Sequence, residues 1–120
     1  MDQQGFKFDF ERLYVYQKAV KFTDTVFKLT LRFDNKIQFS LGDQFRRAAL
    51  SVCNNIAEGS HKEGRAKKQF YKYALNSARE CVPMITISFN QNQISQAEIN
   101  SLRNECVEIS RMMYKLIASV

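Results

Sequence analysis

The stretch that decides the fold runs Ser95-Gln96-Ala97-Glu98-Ile99-Asn100-Ser101-Leu102-Arg103-Asn104-Glu105-Cys106-Val107-Glu108-Ile109-Ser110-Arg111-Met112-Met113-Tyr114-Lys115-Leu116. Ser95 and Glu98 have the spacing of a capping box, in which each side chain bonds the other residue's backbone amide, and Ile94 and Ile99 flank it as a hydrophobic staple. Beyond the cap, Ile99, Leu102, Cys106, Ile109, Met113 and Leu116 recur at alternating spacings of three and four. That is the seam of a helix packed in coiled-coil fashion. The spacing predicts a helix over residues 96–118 with Ile99, Leu102, Cys106, Ile109 and Met113 buried.

Three more segments upstream have the same period. The first covers residues 10–32, with Asp9 as N-cap and Phe8 and Leu13 as its staple. Leu13, Tyr16 or Gln17, Val20, Thr23, Phe27 and Thr30 form one stripe; Ala19, Phe22, Val26, Leu29 and Phe33 form another beside it. Two stripes make an apolar face wider than one packing seam needs, and a surplus of that kind marks an interface.

The second segment covers 40–58. It opens on Ser40 and Asp43 as a capping box, buries Leu41, Phe45, Ala48, Ala49, Val52 and Ile56, and stops at Gly59 in the C′ position. The paired alanines leave room for a neighbouring helix. The third covers 66–89, with Phe70, Ala74, Ser77, Cys81 and Ile85 on one side and Tyr71, Leu75, Ala78 and Val82 alongside. Pro83 removes a backbone donor there, which predicts a kink near Arg79. No strand-like alternation competes. An all-α, antiparallel up-down-up-down four-helix bundle, one domain over 1–120, is the economical architecture.

Composition narrows the function. One proline and four glycines suit long helices. Cys53, Cys81 and Cys106 are odd in number and widely spaced, which fits apolar core positions and neither a disulfide framework nor a metal site. His61 is the only histidine, so no metal is expected. No run approaches the about 18 apolar residues of a membrane span, and Met1-Asp2-Gln3-Gln4-Gly5 lacks signal-peptide character. A cytoplasmic protein without cofactor or membrane contact is the expectation.

The net charge of +6 is unevenly spread. Between Gly59 and Arg79 six basic residues face Glu63 alone. A concentrated basic segment is the footprint for phosphate backbones or an acidic partner, and equally the composition of a solvated turn. Upstream, Arg46-Arg47-Ala48-Ala49-Leu50-Ser51-Val52-Cys53-Asn54-Asn55-Ile56-Ala57-Glu58-Gly59 places serine and asparagine inside a helix. Each costs a few tenths of a kcal/mol, roughly, against better helix formers, so partners are expected. In an antiparallel hairpin, Asn55 and Glu58 are expected to face Ser77 and Glu80 as a polar network, with Arg47 or Arg79 neutralising a carboxylate.

Arg46-Arg47-Ala48, Ser51-Val52 and Asn55-Ile56-Ala57-Glu58-Gly59 resemble the 23S rRNA-intervening-sequence proteins, a bacterial four-helix bundle family. Phe70-Tyr71, Ala74-Leu75 and Ser77-Ala78-Arg79-Glu80-Cys81 add to the likeness, as does Phe8-Asp9-Phe10-Glu11-Arg12-Leu13. Cys53 stands where many relatives have proline, and Asn76 where glycine is common. The resemblance implies a homo-oligomer, a ring of five subunits. It also brings in similar proteins such as the accessory subunit of diversity-generating retroelements, which contacts a reverse transcriptase and RNA through a basic ring. It supplies no catalytic activity.

Three functions follow as expectations. A non-enzymatic oligomeric module would present Arg46, Arg47, Lys62, Arg65, Lys67, Lys68 and Lys72 to RNA or another nucleic acid, repetition multiplying weak phosphate contacts. Tyr71 and Tyr73 would then stack on bases or pack in the core. A structural oligomer or adaptor binding an acidic protein partner is the alternative. An enzyme has least support, for there is no nucleophile–histidine pair, no glycine-rich phosphate loop and no Glu-x-x-His pair of di-iron bundles.

Overall fold

The capping box at Ser95 starts the last helix where the spacing places it. Glu98 N donates to Ser95 Oγ at 3.1 Å, and Ser95 N donates to Glu98 Oε1 at 2.8 Å. Helix α5 then runs Gln96–Ala118. Leu102, Cys106, Ile109 and Met113 are buried along it, while Ile99 is half-buried. The computed structural model describes residues 7–120; residues 1–5, read above for a signal peptide, lie outside the described residues.

The remaining long helices are α1 (Tyr14–Thr30), α3 (Asp43–Ser60) and α4 (Gly64–Asn90), with a three-residue α2 (Asn35–Ile37) leading into α3. Helix α3 packs on α4, α4 on α5, and α1 against both α3 and α5. The result is an all-α antiparallel four-helix bundle, with no strand among the described residues. Phe22, Val26, Phe45, Val52, Ile56, Ile85 and Ile109 fill its centre. The paired alanines admit α1 closely, for Thr23 Oγ1 reaches both Ala19 O at 2.8 Å and Ala49 O at 3.2 Å. All three cysteines are free and buried. A hydrogen bond with Cys106, then burial, push the Cys81 thiol well above its ordinary pKa.

Three boundaries differ from the sequence expectation. Asp9 does not cap α1. Instead Phe8 N donates to Glu11 Oε1 at 2.9 Å and closes a short 3-10 turn, Asp9–Arg12. Leu13 is then extended, at φ −69° and ψ 127°, so α1 begins only at Tyr14. Of its two apolar stripes, Ala19, Phe22, Val26 and Leu29 are sealed, whereas Tyr16, Val20 and Phe27 are half-buried.

Ser40 does not open the second long helix. Helical backbone already starts at Asn35 and widens into a π-type turn over Gln38–Gly42, where Ser40 Oγ donates backwards to Ile37 O at 3.3 Å. Gly59 does not end that helix either; it lies buried within α3, which continues to Ser60. Its lack of a side chain serves packing, since a Cβ would stand 2.9 Å from the Tyr71 ring. Helix α4 runs unbroken past Pro83. Both Pro83 and Arg79 are exposed, so the proline that removes a backbone donor stands on the outer face of the helix.

Candidate nucleic-acid interface

The α3–α4 hairpin holds every residue singled out for function. Its turn is short: α3 ends at Ser60, and Gly64 opens α4 at φ +55°, a left-handed conformation that costs glycine little.

The hairpin's seam is polar at one point. Ser51 and Ser77 hydroxyls meet at 2.7 Å, and Asn55 Nδ2 donates to Ser51 O at 2.9 Å and to Ser51 Oγ at 3.0 Å. Asn55 and Ser77 are thus joined, as expected, through Ser51. The glutamates are not part of it. Glu58 lies near the turn, 3.5 Å from Lys62 Nζ and 3.7 Å from His61 Nε2. Glu80 lies toward the other end, beside Gln44, Arg47 and Pro83. In an antiparallel pair numbers rise on one helix as they fall on the other, so residues 58 and 80 cannot both oppose the same neighbours. Neither expected arginine closes the network: Arg47 Nε pairs with Asp43 Oδ2 at 3.1 Å, and Arg79 Nη1 approaches the Tyr114 hydroxyl at 3.4 Å.

The seven basic residues divide into two groups. Arg46 is drawn into the fold, donating to Gln38 Oε1 at 2.6 Å and Gln38 O at 3.2 Å. Gln38 Nε2 in turn donates to Thr30 O at 2.8 Å, a second bond to a carbonyl at the end of α1 that also accepts from Phe33 N at 3.0 Å. Lys67 Nζ donates to Ser60 O at 2.8 Å and stands 5.4 Å from the Tyr71 ring centroid. A cation there complements the C-terminal end of α3. Lys62 is held by Glu58 and lies 5.8 Å from the Phe70 ring centroid. Arg47 is exposed but paired.

Arg65, Lys68 and Lys72 form the second group. They recur three and four residues apart along one face of α4, with Arg65 and Lys72 exposed and Lys68 half-buried. Arg79 continues the same face two turns on. Among the described residues Arg65, Lys68 and Lys72 have neither ion-pair nor hydrogen-bond partner. The expected continuous patch is therefore narrower than the run of basic residues in the sequence, because Lys62 and Lys67 fold back onto the hairpin. Of the interleaved tyrosines, Tyr71 is core and Tyr73 is 45% exposed. Counting charge along the chain includes Arg79 without placing it on this face; projection onto a helical wheel does so, and only packing brings in Tyr114.

Residues 11–115 match the family described as 23S rRNA-intervening sequence protein. The fold is similar to a crystal structure of a protein of unknown function from the S23 ribosomal protein family of Bacteroides thetaiotaomicron VPI-5482. The TM-score is 0.79 and the identity 22%, over 87% of this chain and 95% of that one. No curated protein matches the sequence.

Proposed function

This chain belongs to the 23S rRNA-intervening sequence protein family, and from that premise we propose a non-catalytic module that self-associates and binds RNA through the basic face of α4. One observation carries the reading: Arg65, Lys68 and Lys72 share a helix face and are committed to nothing in their own fold. Cations left without internal partners favour a polyanion, whose condensed counterions are released on binding. Repetition of that face in an oligomer turns weak contacts into useful avidity. The half-buried row Tyr16, Val20 and Phe27, with Leu31 70% exposed beyond it, supports association of copies. A non-catalytic role accords with a sole histidine that stands by Glu58 and with thiols sealed in the core.

The test is a salt titration of RNA binding with Lys68→Ala/Lys72→Ala. Both side chains are free of structural bonds, so the fold is expected to persist by circular dichroism. The slope of log affinity against log salt is expected to drop by about one per lysine removed. An unchanged slope, with preference for an acidic protein instead, overturns the RNA reading. Sedimentation at micromolar concentration tests association, and a monomer there overturns that part.

A further inference from the structure

Helix α5 keeps its charges on two separate faces. Glu105 and Glu108 turn toward α1, where Lys18 Nζ lies 3.2 Å and 2.8 Å from them. The hydrogen bond to Glu108 leads the effects that hold the Lys18 ammonium pKa above its ordinary value. Arg103 and Arg111 instead border the α4 side, exposed and without an acidic partner among the described residues. Val82 of α4 and Cys106, Val107 and Tyr114 of α5 complete a groove of about 220 Å³ between those arginines. Val107 is 45% and Tyr114 54% exposed there. Arg79 approaches the Tyr114 hydroxyl at 3.4 Å, tying the groove to the helix face that bears Lys68 and Lys72.

Lysines alone would suit any polyanion. An apolar floor with an aromatic ring, set among guanidinium groups, suits an unpaired base, which such groups stack upon and whose flanking phosphates they neutralise. A duplex keeps its bases inside and presents backbone. We propose that the α4/α5 groove seats an unpaired base of single-stranded RNA, with the strand's phosphates running past Arg79 and Lys72. The inference rests on the RNA-binding reading above and names the form of RNA.

Fluorescence anisotropy of the full chain, with an oligoadenylate and a blunt-ended RNA duplex of equal phosphate number, tests it. Tyr114→Ala is expected to weaken oligoadenylate binding about tenfold, as loss of one stacked base does, and to leave the duplex unchanged. Tyr114→Phe, which keeps the ring, is expected to retain oligoadenylate affinity. Val107→Gln, at another exposed position, repeats the test should Tyr114→Ala disturb the circular dichroism spectrum. Equal effects on both RNAs, or none, overturn the groove assignment, as does oligoglutamate binding with the same dependence on Tyr114. If Lys68→Ala/Lys72→Ala weakens both RNAs while Tyr114→Ala affects neither, the groove inference falls and the RNA reading stands. If neither RNA binds at low salt, both fall.

Discussion

Gly59 and Tyr71 are in a contact that leaves no room for a methyl group. A Cβ on Gly59 would stand 2.9 Å from Tyr71 Cδ1 and Cε1, and 3.1 Å from Phe70 Cβ. Tyr71 is 3% exposed, so its ring has nowhere to retreat. This is the point at which α3 and α4 are clamped just before their turn, and it places Arg65, Lys68 and Lys72 on the outside.

Gly59→Ala sets two effects against each other. Alanine is better in a helix by about 1 kcal/mol, while forcing bulk into a packed site costs about 1–3 kcal/mol. With a buried ring opposite, the clash is expected to win, and chemical denaturation should report a net loss of stability. Gly59→Ala combined with Tyr71→Leu is expected to cost less than the two separate losses added together, because the shorter side chain relieves the contact.

The adjacent arginines are inequivalent. Arg46 holds Gln38, which bonds the carbonyls of Thr30 and Phe33 at the end of α1. Buried Gly42 leaves the space for this pair, for a Cβ there would lie 3.1 Å from Gln38 Oε1 and 3.2 Å from Arg46 Nη1. Arg46→Ala is expected to lower stability by about 1–3 kcal/mol, the penalty for stranding a part-buried partner. Arg47→Ala removes an exposed i,i+4 pair and is expected to change it by at most about 0.5 kcal/mol. Parallel denaturation curves of the two variants check this.

The same arginine pair illustrates what the sequence could and could not convey. The apolar period of α5 and its cap were legible because both are local, and α5 begins and ends where the pattern does. The start of α3 was not, because it depends on Gln38 reaching back to α1 and on Arg46 reaching back to Gln38. Helical backbone starts five residues before Ser40, at Asn35, and Ser40 spends its hydroxyl on Ile37 O instead of on a cap. The polar seam was half legible. Asn55 and Ser77 needed partners and have them, but the antiparallel register, itself implied by the short turn, separates Glu58 from Glu80. For the basic residues, composition indicated where cations gather; only packing distinguishes Lys67, bonded to Ser60 O, from Lys68, bonded to nothing among the described residues.

The α5 cap predicts an acid-sensitive contribution to stability. Glu98 accepts from Ser95 N and from Arg32 Nη2, and these bonds, the backbone one first, hold its carboxyl pKa below the ordinary 4.5. A carboxyl depressed in the folded state stabilises above its ordinary pKa and loses that contribution as pH falls through the folded value. Wild-type stability is therefore expected to decline below about pH 4.5 more steeply than that of Glu98→Gln. Ser95→Ala is expected to cost about 1 kcal/mol at neutral pH, the worth of an N-cap. Thermal melts at several pH values check both.

Lys67 and Lys68 are neighbours in sequence with opposite assignments, and substituting each alone separates folding from binding. Lys67 Nζ donates to Ser60 O at 2.8 Å, filling a carbonyl at the end of α3 and lying over the Tyr71 ring. Lys67→Ala is expected to cost about 0.5–1 kcal/mol of stability, the scale of a cation at a helix C-terminus, and to leave the salt slope of RNA binding unchanged. Lys68 makes no such bond. Lys68→Ala is expected to leave the melting temperature where it is and to lower the slope by about one. Equal effects of the two substitutions on slope would mean that Lys67 leaves Ser60 to meet the RNA, and the division of the basic segment into structural and binding lysines would be wrong.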